Sequence, residues 1–93
     1  MKVFLVGIGG IGVSALAQYL HGQGYEIYGS NSEQNEQTDF LIRQVQAKIF
    51  YEHDAANVPA DIDFLVYSPA VPETNPERKY AQENNILEYS YPQ

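Results

Sequence analysis

The chain contains no cysteine, which excludes a disulfide framework and thiolate chemistry of any kind. Basic residues are also scarce: five Lys and Arg stand against twelve Asp and Glu, a net charge of −7. Lys2, Arg43, Lys48, Arg78 and Lys79 are scattered, so no positive stripe exists to follow a nucleic-acid backbone. Long apolar runs are missing too. None approaches the roughly 18 residues that span a bilayer. Val3–Val6 is too short for a signal-peptide core and no small-residue cleavage site follows it. A cytoplasmic protein with neither nucleic acid nor membrane as partner is the expectation. The pattern G-x-x-x-x-G-K-[ST] is absent, so no nucleoside triphosphate site of that kind is expected within this stretch.

What remains is 93 residues, 44% of them apolar. That is enough for one domain with a real core, spanning 1–93. Because the overall field repels anions, an anionic ligand would have to be held by local backbone donors.

Apolar, β-prone segments alternate with helical ones along the chain. Strands are expected at Lys2–Val6, Tyr25–Gly29, Ala47–Tyr51, Asp63–Tyr67 and Ile86–Tyr89. A helix is expected from Ile11 to about His21, with Ile11, Ala15, Leu16, Tyr19 and Leu20 as its apolar face and Gly22 and Gly24 ending it. Ser30–Gln37 is polar and reads as a loop, after which Thr38 would cap a helix carrying Phe40, Leu41 and Val45. Glu52–Ala60 is a connection with room for one helical turn. Asn75-Pro76-Glu77 combines a cap, a proline at the first helical position and an acid suited to the dipole, and opens a helix to about Asn84. This order predicts an α/β, Rossmann-like three-layer domain with a mostly parallel five-stranded sheet. The stop just after a strand suggests a piece of a longer chain.

Between the first strand and the first helix, Gly7-Ile8-Gly9-Gly10-Ile11-Gly12 fits G-x-G-x-x-G at positions 7, 9 and 12. In that pattern the first glycine permits the turn, the second lets backbone approach a phosphate, and the third allows the helix to pack on the sheet. The helix N-terminus then offers free N–H groups to an anion. A NAD site would want an acid near the end of the second strand. The chain reads Ile27-Tyr28-Gly29-Ser30-Asn31-Ser32 there, with Glu33 the nearest acid and no Lys or Arg between Lys2 and Arg43. Both nicotinamide cofactors are disfavoured, while Ser30 and Asn31 remain suited to a ribose or a pyrimidine edge.

Other residues invite chemical readings. Ser14 lacks an accompanying Asp or His in a triad pattern and reads as a hydrogen-bond donor near the phosphates. His21 and His53 are the only histidines; two do not make a metal site. Asp61 and Asp63 flank a strand and read as solvated. No catalytic residue and no metal ligand is expected.

Taken together, GIGGIGVSALA (7–17), GSN (29–31), NEQT (35–38), AKIFYEHDAANV (47–58), DFLVYSPAVPETNPE (63–77) and YSYPQ (89–93) resemble the N-terminal domain of Mur ligases over the whole chain. The resemblance is nearest to the alanine-adding branch of the family. It implies a Rossmann-like domain that holds the UDP part of UDP-N-acetylmuramate in peptidoglycan synthesis and is inactive alone. It also implies partner domains in the parent chain: a central one carrying ATP and Mg²⁺, and a C-terminal one. By position, Gly7, Gly9, Gly10, Ile11, Gly12 and Ser14 would lie along the diphosphate. Ser30, Asn31, Ser68, Pro69, Ala70 and Val71 would lie toward the uridine. Where family members commonly read Gly-Ser-Asp this chain has Asn31, and Pro69 replaces a serine and removes a backbone donor. The alternatives are the branch that recycles murein tripeptide and a stand-alone NAD-binding regulatory module.

Overall fold

Val3, Phe4, Leu5 and Val6 have no exposed surface at all. Such a run is stable only in a central strand covered on both faces. In the computed structural model, which describes residues 1–92, that strand is β1 (Lys2–Val6). The other elements are α1 (Ile11–Gly22), β2 (Glu26–Ser30), α2 (Glu36–Val45), β3 (Lys48–Phe50), a 3₁₀ turn (Ala55–Asn57), β4 (Phe64–Tyr67), α3 (Pro76–Glu83) and β5 (Leu87–Ser90). All strand pairs are parallel, in the order β3-β2-β1-β4-β5. The expected α/β class, strand count and element order are those observed.

Alternation along β1 divides the core. Val3 and Leu5 join Ile8, Val13, Ala17, Leu20, Leu41 and Val45 beneath α1 and α2. Phe4 and Val6 join Val58, Ile62, Leu65 and Ala81 beneath α3. The chain first builds β1, β2 and β3 in one direction, then returns to place β4 and β5 on the other side of β1. The order therefore reverses between β1 and β4, and the crevice at their carboxyl ends is where this architecture binds ligands.

Two local expectations are corrected. On α1 the buried residues are Val13, Ser14, Ala17 and Leu20, whereas Ile11 is 79% and Tyr19 63% exposed. This helix carries apolar residues on more than one face, so periodicity alone did not fix its rotation; packing of Val13, Ala17 and Leu20 against the sheet does. On α2 the cap is Asn35, not Thr38. Asn35 Oδ1 accepts from the Thr38 N–H and Thr38 Oγ1 accepts from the Asn35 N–H, both at 2.9 Å. That reciprocal box starts the helix three residues earlier than a Thr38 cap would.

Candidate functional site

The glycine loop is hooked onto the end of β2. The N–H groups of Gly7 and Ile8 both donate to the Ser30 carbonyl, at 2.8 and 3.0 Å. Gly7 has φ +79°, and a Cβ there would lie 3.1 Å from Ser68 Cβ, so glycine serves both the turn and the contact with the loop after β4. The Gly10 N–H donates to the Gly7 carbonyl at 3.0 Å. The Gly9 N–H donates to Asn31 Oδ1 at 3.0 Å, and Asn35 Nδ2 donates to the Gly9 carbonyl at 3.1 Å. The donors of residues 7–10 are thus engaged within the chain.

The free donors come one step later. The first bond of the α1 ladder runs from Ser14 N–H to the Gly10 carbonyl at 2.8 Å, so the N–H groups of Ile11, Gly12 and Val13 precede it. Gly10 caps α1 without a side chain, and the first turn carries no acid. By contrast, α2 and α3 are each capped by an asparagine side chain and carry acids in their first turns. The positive end of α1 is therefore the one left open to an outside anion.

Opposite this end lies the loop after β4. The Ser68 N–H donates to the Val6 carbonyl and the Val71 N–H to the Ser68 carbonyl, closing a tight turn that leaves Pro69 and Ala70 exposed. Arg78 holds the turn from behind. Its Nη1 donates to the Val71 carbonyl at 3.0 Å, its Nε to Glu88 Oε1 at 2.8 Å, and its guanidinium stacks 3.6 Å over the Tyr67 ring. Beside the turn is a cavity of about 380 Å³, lined by His53 and by residues of the 70–76 segment.

Behind that cavity sits Glu77, with no exposed surface. Its Oε1 accepts from Ser30 Oγ at 2.6 Å and faces His53 Nδ1 at 3.1 Å. Its Oε2 accepts from Asn57 Nδ2 at 2.9 Å and from the Asp54 N–H at 3.3 Å. One carboxylate thereby ties together the end of β2, the connection after β3 and the start of α3. Sequence reasoning read Glu77 only as a dipole-favoured acid. The unused signal was the coincidence of Ser30, His53 and Asn57 with the loops that a parallel sheet gathers at one edge.

Residues 2–93 match the model of the family described as "Mur ligase family, catalytic domain". The chain belongs to the Mur ligase family. A UDP-N-acetylmuramate–L-alanine ligase of Clostridium botulinum is 45% identical over 85 residues, 91% of this chain and 18% of that protein. The crystal structure of a UDP-N-acetylmuramate–alanine ligase from Thermotoga maritima superposes with a TM-score of 0.89 at 40% identity, over 97% of this chain and 20% of that one. A murein peptide ligase from Psychrobacter arcticus has a TM-score of 0.85 at 18% identity, over 95% of this chain and 18% of that one, a likeness of fold alone. The chain spans about a fifth of the length of these relatives.

Within this Mur ligase domain, the residues singled out from sequence are only partly brought together. Gly7 meets the Ser68–Pro69–Ala70–Val71 turn, where a Cβ on it would lie 3.1 Å from Ser68 and 3.7 Å from Val71, and Gly9, Gly10, Ile11 and Gly12 follow it beyond the carboxyl end of β1. Gly9 does not leave open space: a Cβ there would stand 2.5 Å from Asn31 Nδ2 and 2.8 Å from Asn35 Nδ2. Gly12 meets the Tyr91 ring, beyond β5, and not the sheet. Ser14 is buried and its hydroxyl donates back to the Ile11 carbonyl at 3.0 Å, as helical serines do when no other acceptor is near. The Ser30 side chain is buried against Glu77 and His53, which come from the crossovers after β4 and β3. Asn31 is bonded at both ends, to Gly9 and to the Glu33 carbonyl.

Ser30, His53 and Glu77 are triad residue types in a non-triad arrangement. The same ring nitrogen, Nδ1, faces both the hydroxyl and the carboxylate, whereas a nucleophilic relay uses the two opposite nitrogens. Asp61 and Asp63 both serve Lys2, one through its ammonium at 2.8 Å and the other through its backbone N–H at 2.6 Å. The Lys2 hydrogen bond holds the Asp61 carboxyl below its ordinary range, and the same bond raises the Lys2 ammonium. Among the described residues, no group of three or more His, Cys, Asp or Glu is placed to hold a metal ion, and no helix is long and apolar enough to cross a membrane.

Proposed function

We propose that this chain is the part of an ATP-dependent UDP-N-acetylmuramate–L-alanine ligase that holds the UDP end of its substrate. The observation that carries this reading is the open N-terminus of α1 at the point where the strand order reverses, facing the Ser68–Val71 turn. A diphosphate fits such a site, with the N–H groups of Ile11, Gly12 and Val13 as donors and Gly7 and Gly10 shaping the approach. Backbone donors suit a chain whose net charge is −7. The alanine-adding branch is preferred over the tripeptide-recycling branch because relatives bearing the former name are 38–46% identical and the murein peptide ligase 18%.

ATP and Mg²⁺ belong, in this reading, to a central domain of the parent enzyme, and a C-terminal domain completes the site. This stretch carries neither a phosphate-loop lysine pattern nor a cluster of acids fit for a metal among its described residues. It binds and positions; the ligation occurs against it. The competing NAD reading lacks support at the end of β2, where Asn31 stands in place of an acid and its amide is turned onto Gly9.

A titration of the isotope-labelled chain, followed by amide NMR, tests the proposal. UDP and UDP-N-acetylmuramate should perturb residues 9–14 and 68–72, and NAD should leave them unmoved. Tighter binding of NAD than of UDP would defeat it. The same preparation should show no ATP hydrolysis and no ligation of alanine with Mg²⁺ present.

A further inference from the structure

We infer that Asn35 is a positioning residue for the diphosphate: its side-chain amide holds the glycine loop so that the N–H groups of Ile11, Gly12 and Val13 stay directed outward. The inference rests on the UDP-binding reading above and adds to it a residue that acts without touching the ligand.

The Asn35 amide fits its surroundings in one orientation only. The Thr38 N–H points at one end of it at 2.9 Å, so that end is the oxygen. The Gly9 carbonyl lies 3.1 Å from the other end, which is therefore the NH₂. One side chain thus caps α2 and holds the loop before α1, 26 positions earlier in the chain. The other polar group of Gly9, its N–H, is taken by Asn31 Oδ1 at 3.0 Å.

Peptide geometry carries this restraint toward the anion site. Across a trans peptide the carbonyl and the N–H point opposite ways. The Gly9 carbonyl is bonded to Asn35 and the Gly10 N–H to the Gly7 carbonyl at 3.0 Å, so the Gly9–Gly10 peptide is held at both ends. In the next peptide the Gly10 carbonyl accepts from the Ser14 N–H at 2.8 Å, which turns the Ile11 N–H out of the helix. Gly10 is the hinge between these two planes and, as glycine, restrains neither by itself. No side chain caps α1. Without the Asn35 bond the Gly9–Gly10 peptide keeps one of its two anchors, and a diphosphate has to order the loop as it binds. A loop ordered beforehand avoids that cost.

Three variants of the 93-residue chain separate this role from plain support of α2. Asn35→Ser keeps a cap of equal rank but is too short to reach Gly9. Its melting midpoint should stay close to the native one, and its Gly10 amide should exchange faster than native without nucleotide. Its UDP affinity should fall about fivefold or more, the scale of one net hydrogen bond. Asn35→Asp also keeps the cap but sets a carboxylate oxygen against the Gly9 carbonyl, and should lose more. Thr38→Val removes the hydroxyl half of the capping box and leaves the Asn35 amide in place. It should melt earlier yet bind UDP within about twofold of native. Native-like UDP binding by Asn35→Ser, or an equal loss in Thr38→Val, overturns the inference while leaving the functional reading intact. Failure of UDP to bind the native chain overturns the functional reading and this inference with it.

Discussion

The Ser30 hydroxyl and the Glu77 carboxylate lie 2.6 Å apart across 47 positions of sequence. Both residues are wholly buried, one ending β2 and the other in the first turn of α3. Their bond crosses the switch point of the sheet on the side opposite the glycine loop. It sets the distance between the crossovers that frame the candidate site.

Glu77→Ala should destabilise the chain by about 3–5 kcal/mol, the usual penalty when one member of a buried polar set is removed. Donors from Ser30, His53, Asn57 and the Asp54 backbone would lose their acceptor at once. Since small domains have about 5–15 kcal/mol in total, the variant should be marginal in urea denaturation. A loss below about 1 kcal/mol would show that water replaces the carboxylate freely.

Gly9→Val should act on the fold as well as on the ligand. The new side chain would displace Asn31 and Asn35, which are held by bonds to Gly9, Glu33 and Thr38. Losing the Asn35 cap and overpacking the turn should lower stability by about 2 kcal/mol, with shifted amide signals at Thr38. A Gly9→Val chain that melts like the native one while losing UDP affinity would return Gly9 to a purely ligand-facing role.

Gly12→Ala should depend on Tyr91. In the native background the methyl group meets the ring and should cost about 1 kcal/mol of overpacking. In a Tyr91→Ala background the clash is gone, and alanine's helix preference of up to about 1 kcal/mol over glycine should show instead. Thermal melts of the four chains measure the coupling. Simple additivity would mean the two side chains never meet.

Arg78→Met keeps much of the volume and removes the donors to Val71 and Glu88. The Glu88 carboxylate is 18% exposed and retains Gln82, which softens the loss to about 2 kcal/mol. Faster amide exchange at Val71 should accompany it, because the turn loses its support. Unchanged exchange there would place the anchoring elsewhere.

The Lys2–Asp61 pair predicts a small effect with a definite sign. Asp61 is held below its ordinary value, so its contribution is present above the ordinary carboxyl range and fades as pH falls through the lowered folded value. Lys2 is raised; its contribution is present below the ordinary lysine range and fades as pH climbs through the raised value. Both groups lie at the surface, where salt screens them. Asp61→Asn should leave the melting midpoint at pH 7 and moderate salt within error. A clear drop would mark the pair as more than a surface contact.

The alternation of apolar strands with helical periods determined the α/β class, the five strands and their order along the chain, because each element's local pattern is a property of a few neighbouring residues. Gly7 was legible for the same reason: a tight turn out of a buried strand requires a positive φ within one or two positions. The Asn75-Pro76-Glu77 start was legible because caps act over three residues. Tertiary structure alone decided the rotation of α1, since Ile11 and Ala15 are as apolar as Val13 and Ala17 and only packing against the sheet chooses between them. It alone decided that Gly9 makes room for Asn31 and Asn35, and Gly12 for Tyr91, because those neighbours come from 22 or more positions away. It alone assembled Ser30, His53, Asn57 and Glu77, for parallel strands send their crossovers to one edge of the sheet. A buried carboxylate is tolerated there only when donors from several crossovers arrive together.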